Sequence, residues 1–144
     1  GTGLVGSEMC IRDRFNRCVY GVFDPVGYGA DGKYGNEWDM TIWISDRGIE
    51  SGRLKDILIH EAAHAYSYLV LRGCVVPDGS SLRELAHKRY GDEEHLADVF
   101  VLYYGGKWTN YDGRENIPIR DRSWMSNMID YCNLYEEALA TLSS

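Results

Sequence analysis

Leu54-Lys55-Asp56-Ile57-Leu58-Ile59-His60-Glu61-Ala62-Ala63-His64-Ala65-Tyr66-Ser67-Tyr68-Leu69-Val70-Leu71 runs without a Gly or Pro, and its reading decides the fold. Leu54, Ile57, Leu58, Ala65 and Leu69 recur at helical spacing and predict an amphipathic helix with those residues as its buried stripe. Ser51 is placed to cap its start and Gly73 to stop it. Small Ala62 and Ala63 let other backbone approach. His60 and His64 stand four apart, so a helix sets them one turn above each other, about 6 Å in rise. Two imidazoles so placed can converge on one cation with bonds of about 2.0–2.1 Å. Glu61 projects beside the pair, where a carboxylate can take a proton from a metal-activated water. The bland alternative is a surface histidine pair with an incidental glutamate.

A catalytic zinc site takes a third protein ligand and keeps one position for water. About thirty residues on, Gly91-Asp92-Glu93-Glu94-His95-Leu96-Ala97-Asp98-Val99-Phe100-Val101-Leu102-Tyr103-Tyr104 predicts a second helix. Asp92 would be its N-cap, and Leu96, Ala97, Val99, Phe100 and Tyr103 supply its apolar periodicity. Glu94 and Asp98 share a face at i and i+4. One carboxylate could then bind metal while the other orients an imidazole through its far nitrogen. Glu93, rotated about 100° from Glu94, His95 and Asp98 are the competing third ligands.

HExxH followed by ExxxD on a second helix resembles the gluzincin metallopeptidases. Glu94-x-x-Ala97-Asp98-x-Phe100 is also similar to the ligand helix of small single-domain relatives, including the repressor-cleaving metallopeptidases. The likeness covers roughly residues 40–105. It implies an α+β, zincin-like single domain, with a small sheet packed on the HExxH helix, a second ligand helix and a C-terminal helix. It implies Zn²⁺ held by His60, His64 and Glu94, with Glu61 as general base and Asp98 as the partner of a ligand imidazole. The implied activity is hydrolysis of peptide bonds in a peptide or protein substrate. A tetrahedral oxyanion needs a donor besides the metal, and Tyr104 is the first candidate, with Tyr103 and Tyr111 behind it.

Upstream, residues 17–23 and Met40-Thr41-Ile42-Trp43-Ile44-Ser45 read as strands. The second suits the strand that lines the cleft in zincin folds and pairs with extended substrate; an ordinary core strand is the alternative. Between them lies a Gly-rich stretch from Asp24 to Asn36, read as a mobile loop. Ser81 and Glu84 form a capping box ahead of a short helix on which His87 reads as a solvated residue. After a loop at 105–113 and an extended Ile117-Pro118-Ile119, Ser123 is expected to cap a helix from Trp124 to about Leu142. Its apolar positions would be Met125, Met128, Ile129, Leu134, Leu139 and Leu142.

Gly3-Leu4-Val5-Gly6-Ser7-Glu8-Met9-Cys10-Ile11-Arg12-Asp13-Arg14 resembles a translated sequencing adapter. Residues 1–14 are therefore set apart as artefactual, a disordered natural terminus being the alternative, and 15–144 as the folded domain. On this reading the true start, including any signal peptide, lies outside the chain. Cys18, Cys74 and Cys132 remain, with no CxxC pair, which leans weakly toward a secreted protein.

The chain has 144 residues, 44% hydrophobic, with a net charge of −7. That composition fits one folded domain. The acidic balance and the lack of a basic run exclude a nucleic-acid surface, and no apolar run reaches the roughly 18–20 residues of a membrane span. Oligomeric state is unknown from sequence. Two other functions compete with the peptidase. One is a deformylase-like zinc hydrolase of non-peptide amides, whose Cys ligand would be Cys18 or Cys74. The other is a catalytically silent, metal-stabilised binding or regulatory domain.

Overall fold

The computed structural model describes residues 11–12, 18–24, 41–109 and 119–143. The protein is α+β, predominantly helical with small antiparallel sheets. The Gly-rich stretch at 25–36, Tyr111 and the Ile117-Pro118 pair lie outside the described residues. The chain forms two compact units, Gly1–Ala65 and Tyr66–Ser144, whose boundary falls inside a helix. Among the described residues no helix is long and apolar enough to cross a membrane.

In the first unit β1 (Ile11–Arg12) pairs with β2 (Cys18–Val19), and β3 (Gly21–Asp24) pairs antiparallel with β4 (Thr41–Ile44). The strand expected over 17–23 is thus two strands, separated at Tyr20, whose carbonyl accepts from the Ser45 backbone N–H and the Ser45 hydroxyl. In the β3–β4 register Val22 faces Trp43 and Phe23 faces Ile42. Ser45 ends β4 and caps α1 (Asp46–Glu50), its hydroxyl accepting from the Gly48 N–H at 3.0 Å. α2 (Leu54–Leu69) follows. Ser51 closes α1, donating to the Gly48 carbonyl, and its hydroxyl also accepts from the Arg53 N–H at 3.0 Å just ahead of α2.

Two glycines permit close approach in this unit. A Cβ on Gly48 would sit 2.5 Å from the Tyr20 carbonyl oxygen. One on Gly21 would meet Ile44, Ile57 and Glu61 side-chain atoms at 3.0–3.2 Å, so β3 lies directly against the His60-Glu61 stretch of α2.

The second unit opens with the last turn of α2, which ends at Leu69, before a 3-10 turn at Leu71–Gly73 that carries the chain to the expected stop. α3 (Leu82–Tyr90) starts as the capping box predicts, with the Ser81 hydroxyl accepting from the Glu84 N–H at 3.1 Å. α4 (Glu93–Tyr103) buries every residue from Leu96 to Leu102. α5 (Ile119–Ser143) begins well before Ser123. The reason is Asp121: buried, it accepts from Arg89 at 3.0 Å, while Trp124 packs edge-on against Tyr90, so this turn is held by α3. Met125, Met128 and Cys132 are buried as core. Leu134, Leu139 and Leu142, expected as core, are exposed. A disulfide joins Cys74, after the 3-10 turn, to Cys132 on α5, both fully buried; such bonds persist in oxidising compartments.

Candidate metal centre

α2 buries only part of the stripe its hydrophobic periodicity predicts: Ile57 is inside and Ala65 half-buried. Leu54, Leu58 and Leu69 are exposed, whereas Ile57, His60, Glu61, Ala63 and Ser67 are buried and His64 nearly so. The inward positions 57, 60, 61, 64 and 67 still follow helical spacing, shifted onto the polar side. Burying imidazole and carboxylate groups costs free energy unless each finds a partner. Here partners are present: the two imidazoles meet each other, Glu61 lies beside His64, and the Ser67 hydroxyl donates to Glu93.

The two imidazoles meet through the same atom. Nε2 of His60 and Nε2 of His64 lie 3.1 Å apart, with ring planes at 86°. Two nitrogens bound at about 2.05 Å to one tetrahedral ion would stand about 3.3 Å apart, so the pair is at coordination spacing. The Glu61 carboxylate lies 4.0 Å from His64 Nε2. Among the described residues, His60, His64 and Glu94 are the group of His, Cys, Asp and Glu side chains able to hold a metal ion, their ligand atoms all within 4.8 Å of one another. The donor set of two nitrogens and one carboxylate oxygen suits zinc.

Glu94 comes from the first turn of α4. Asp92 caps that turn as expected, its carboxylate accepting from the His95 backbone N–H at 2.9 Å and lying 2.7 Å from His95 Nδ1. These bonds hold the Asp92 carboxyl below the usual carboxylate range. They also occupy His95 in the cap. Glu93 turns elsewhere: its Oε1 accepts from the Ser67 hydroxyl at 2.7 Å and lies 2.6 Å from His87 Nε2 and 3.3 Å from Arg83 Nε. His87 is therefore paired and part-buried, not solvated as its sequence setting suggests. Asp98 is fully buried one turn beyond Glu94.

The tyrosines stand at the other end of α4. Tyr104 follows Glu94 by ten residues, about 15 Å along the axis at helical rise. Its ring stacks on Phe100 and meets Tyr103 edge-on, and it is 54% exposed. Tyr103 exchanges a 2.7 Å hydrogen bond with Ser126 of α5. Tyr66 packs against Phe100, and its buried hydroxyl makes no hydrogen bond among the described residues. Burial first, then Tyr104 and Glu136, push that phenol above its ordinary pKa. Cys74, one of the two candidates for the single thiolate ligand of a deformylase-like site, is held in the disulfide.

Two features escape sequence reasoning. Gly21, which reads as an ordinary strand residue, lies against Glu61. Ser67 hides in plain view: it continues the His60, His64 row at i+7 and i+3, a position that marks it as facing the same way. Comparison with protein-family models, with curated proteins and with solved structures finds no match for this chain.

Proposed function

We propose that this chain is a zinc-dependent metallopeptidase of gluzincin type on a zincin-like fold. The observation that carries the reading is the pair of Nε2 atoms 3.1 Å apart, with the Glu61 carboxylate 4.0 Å from one of them and Glu94 within reach of both. His60, His64 and Glu94 would hold the ion. Zinc, when bound, supplies Lewis acidity toward a carbonyl oxygen and lowers the pKa of water.

The remaining chemistry belongs to the chain. Glu61, buried beside His64 and backed by β3 at Gly21, accepts a proton from the attacking water and returns it to the leaving amine. Asp98, a turn along from Glu94, suits the carboxylate that fixes an imidazole's tautomer. A strand that lines such a cleft pairs with extended substrate through its backbone, and β4, paired with β3, is the strand that would take this part. A carboxylate poised at an imidazole pair favours turnover over a structural ion, because a structural site closes its fourth position and has no use for a base.

The test combines metal analysis with digestion of a mixed peptide library, with and without chelator. Wild-type protein should carry one zinc per chain and cleave the library in a chelator-sensitive manner. Glu61→Gln should keep the zinc and lose at least about 10²-fold in rate. Undiminished cleavage by that variant removes Glu61 as the base. A loaded protein that cleaves no peptide removes the peptidase reading and leaves a metal-stabilised binding domain.

A further inference from the structure

We infer that Ser67, Arg83, His87 and Glu93 form a strut that sets Glu94 against the imidazole pair, which makes Arg83 and His87 positioning residues for the metal site. The inference rests on the metal-binding reading above and deepens it. None of the four side chains belongs to the ligand group itself.

Convergence on one atom is the first argument. Glu93 Oε1 takes the Ser67 hydroxyl from α2 and, from α3, Arg83 Nε and His87 Nε2. The donors have only one consistent arrangement. A carboxylate oxygen can only accept, so His87 carries a proton on Nε2 and Ser67 donates to Glu93. Arg83 Nε, which can only donate, also reaches the Ser67 oxygen at 3.1 Å. The linkage thus runs Arg83 to Ser67 to Glu93, closed by His87, with no rotatable ambiguity.

Placement is the second argument. Ser67 stands three residues beyond His64 on α2, and Glu93 immediately precedes Glu94 on α4. Tying Ser67 to Glu93 fixes the last turn of α2 against the first turn of α4. Side chains of neighbouring helical residues diverge by about 100°. Holding Glu93 toward α2 and α3 therefore sets the direction in which Glu94 leaves the helix. The first turn of a helix is the part most prone to fray, and here the strut adds to the hold of the Asp92 cap. The side chains of Arg83 and His87 are each 30% exposed, so replacing them leaves the core intact while removing the strut.

The test measures zinc affinity of the full chain by competition with a chromophoric chelator, together with the visible spectrum of the cobalt(II)-loaded protein. His87→Leu and Arg83→Met should each weaken zinc binding by about tenfold and alter the cobalt band, while metal-free circular dichroism stays that of wild type. His87→Gln, which keeps an N–H where Nε2 stands, should recover affinity and spectrum. Wild-type affinity and an unchanged cobalt band in both His87→Leu and Arg83→Met overturn the strut, as does a His87→Gln as weak as His87→Leu. A wild-type protein that binds neither metal sinks the parent reading instead, and the strut with it.

Discussion

α4 and α2 bury opposite kinds of side chain. α4 turns an unbroken run from Leu96 to Leu102 inward, with Asp98 as its one charged member. α2 buries His60, Glu61 and Ser67 and leaves Leu54, Leu58 and Leu69 outside. Hydrophobic burial stabilises by roughly 25 cal/mol per Å² of apolar surface, so α4 contributes to holding its unit together. α2 gains less in that way, from Ile57 and Ala63, and the desolvation of its polar row has to be offset by the partners those groups find.

Removing apolar volume from α4 should have the largest effect. Phe100→Ala deletes a buried ring that packs against Tyr66 and Tyr104, and should lower unfolding free energy by about 3–5 kcal/mol in a denaturant titration. A loss no greater than that of a surface substitution would mean α4 is not the anchor. The polar row of α2 should respond in the opposite sense. Glu61→Met keeps volume, removes a buried carboxylate, and should raise the stability of metal-free protein by about 1–2 kcal/mol while abolishing turnover. A fall in stability would break the contrast, by showing the carboxylate to be held on net favourable terms. Smallest is Gly21→Ala. Its new methyl would press on Ile44, Ile57 and Glu61 and should cost about 1 kcal/mol. Turnover should slow with zinc content unchanged; equal loss of zinc and rate would mean the whole end of α2 had moved.

The same contrast explains what could be read from the letters alone. α4 is legible from Asp92 as its cap through Leu96, Ala97, Val99 and Phe100, because there propensity, capping and burial agree, while Val101 and Leu102 are buried beyond that periodicity and Tyr103 only half so. The ligand spacing on α2 was legible because i and i+4 fixes a shared face in any helix. Which face turns inward was not, since hydrophobic periodicity pointed to Leu54, Leu58 and Leu69. The start of α5 was misplaced for a related reason: Ser123 is a good local cap, but the Arg89–Asp121 pair extends the helix from outside its own sequence. In the sequence Glu93 reads as a spare ligand and His87 as a surface residue. Their shared bond depends on α3 folding back to α4, a fact no local window contains.

The Cys74–Cys132 bond closes a ring of chain that contains α3, α4 and slightly more than the first half of α5. One backbone scission anywhere inside that ring leaves a single covalent molecule, with the carboxylate-bearing helix still tethered at both ends of the break. For a chain proposed to share its surroundings with hydrolysed peptide bonds, including those of its own copies, that closure turns a first nick from a severance into a hinge.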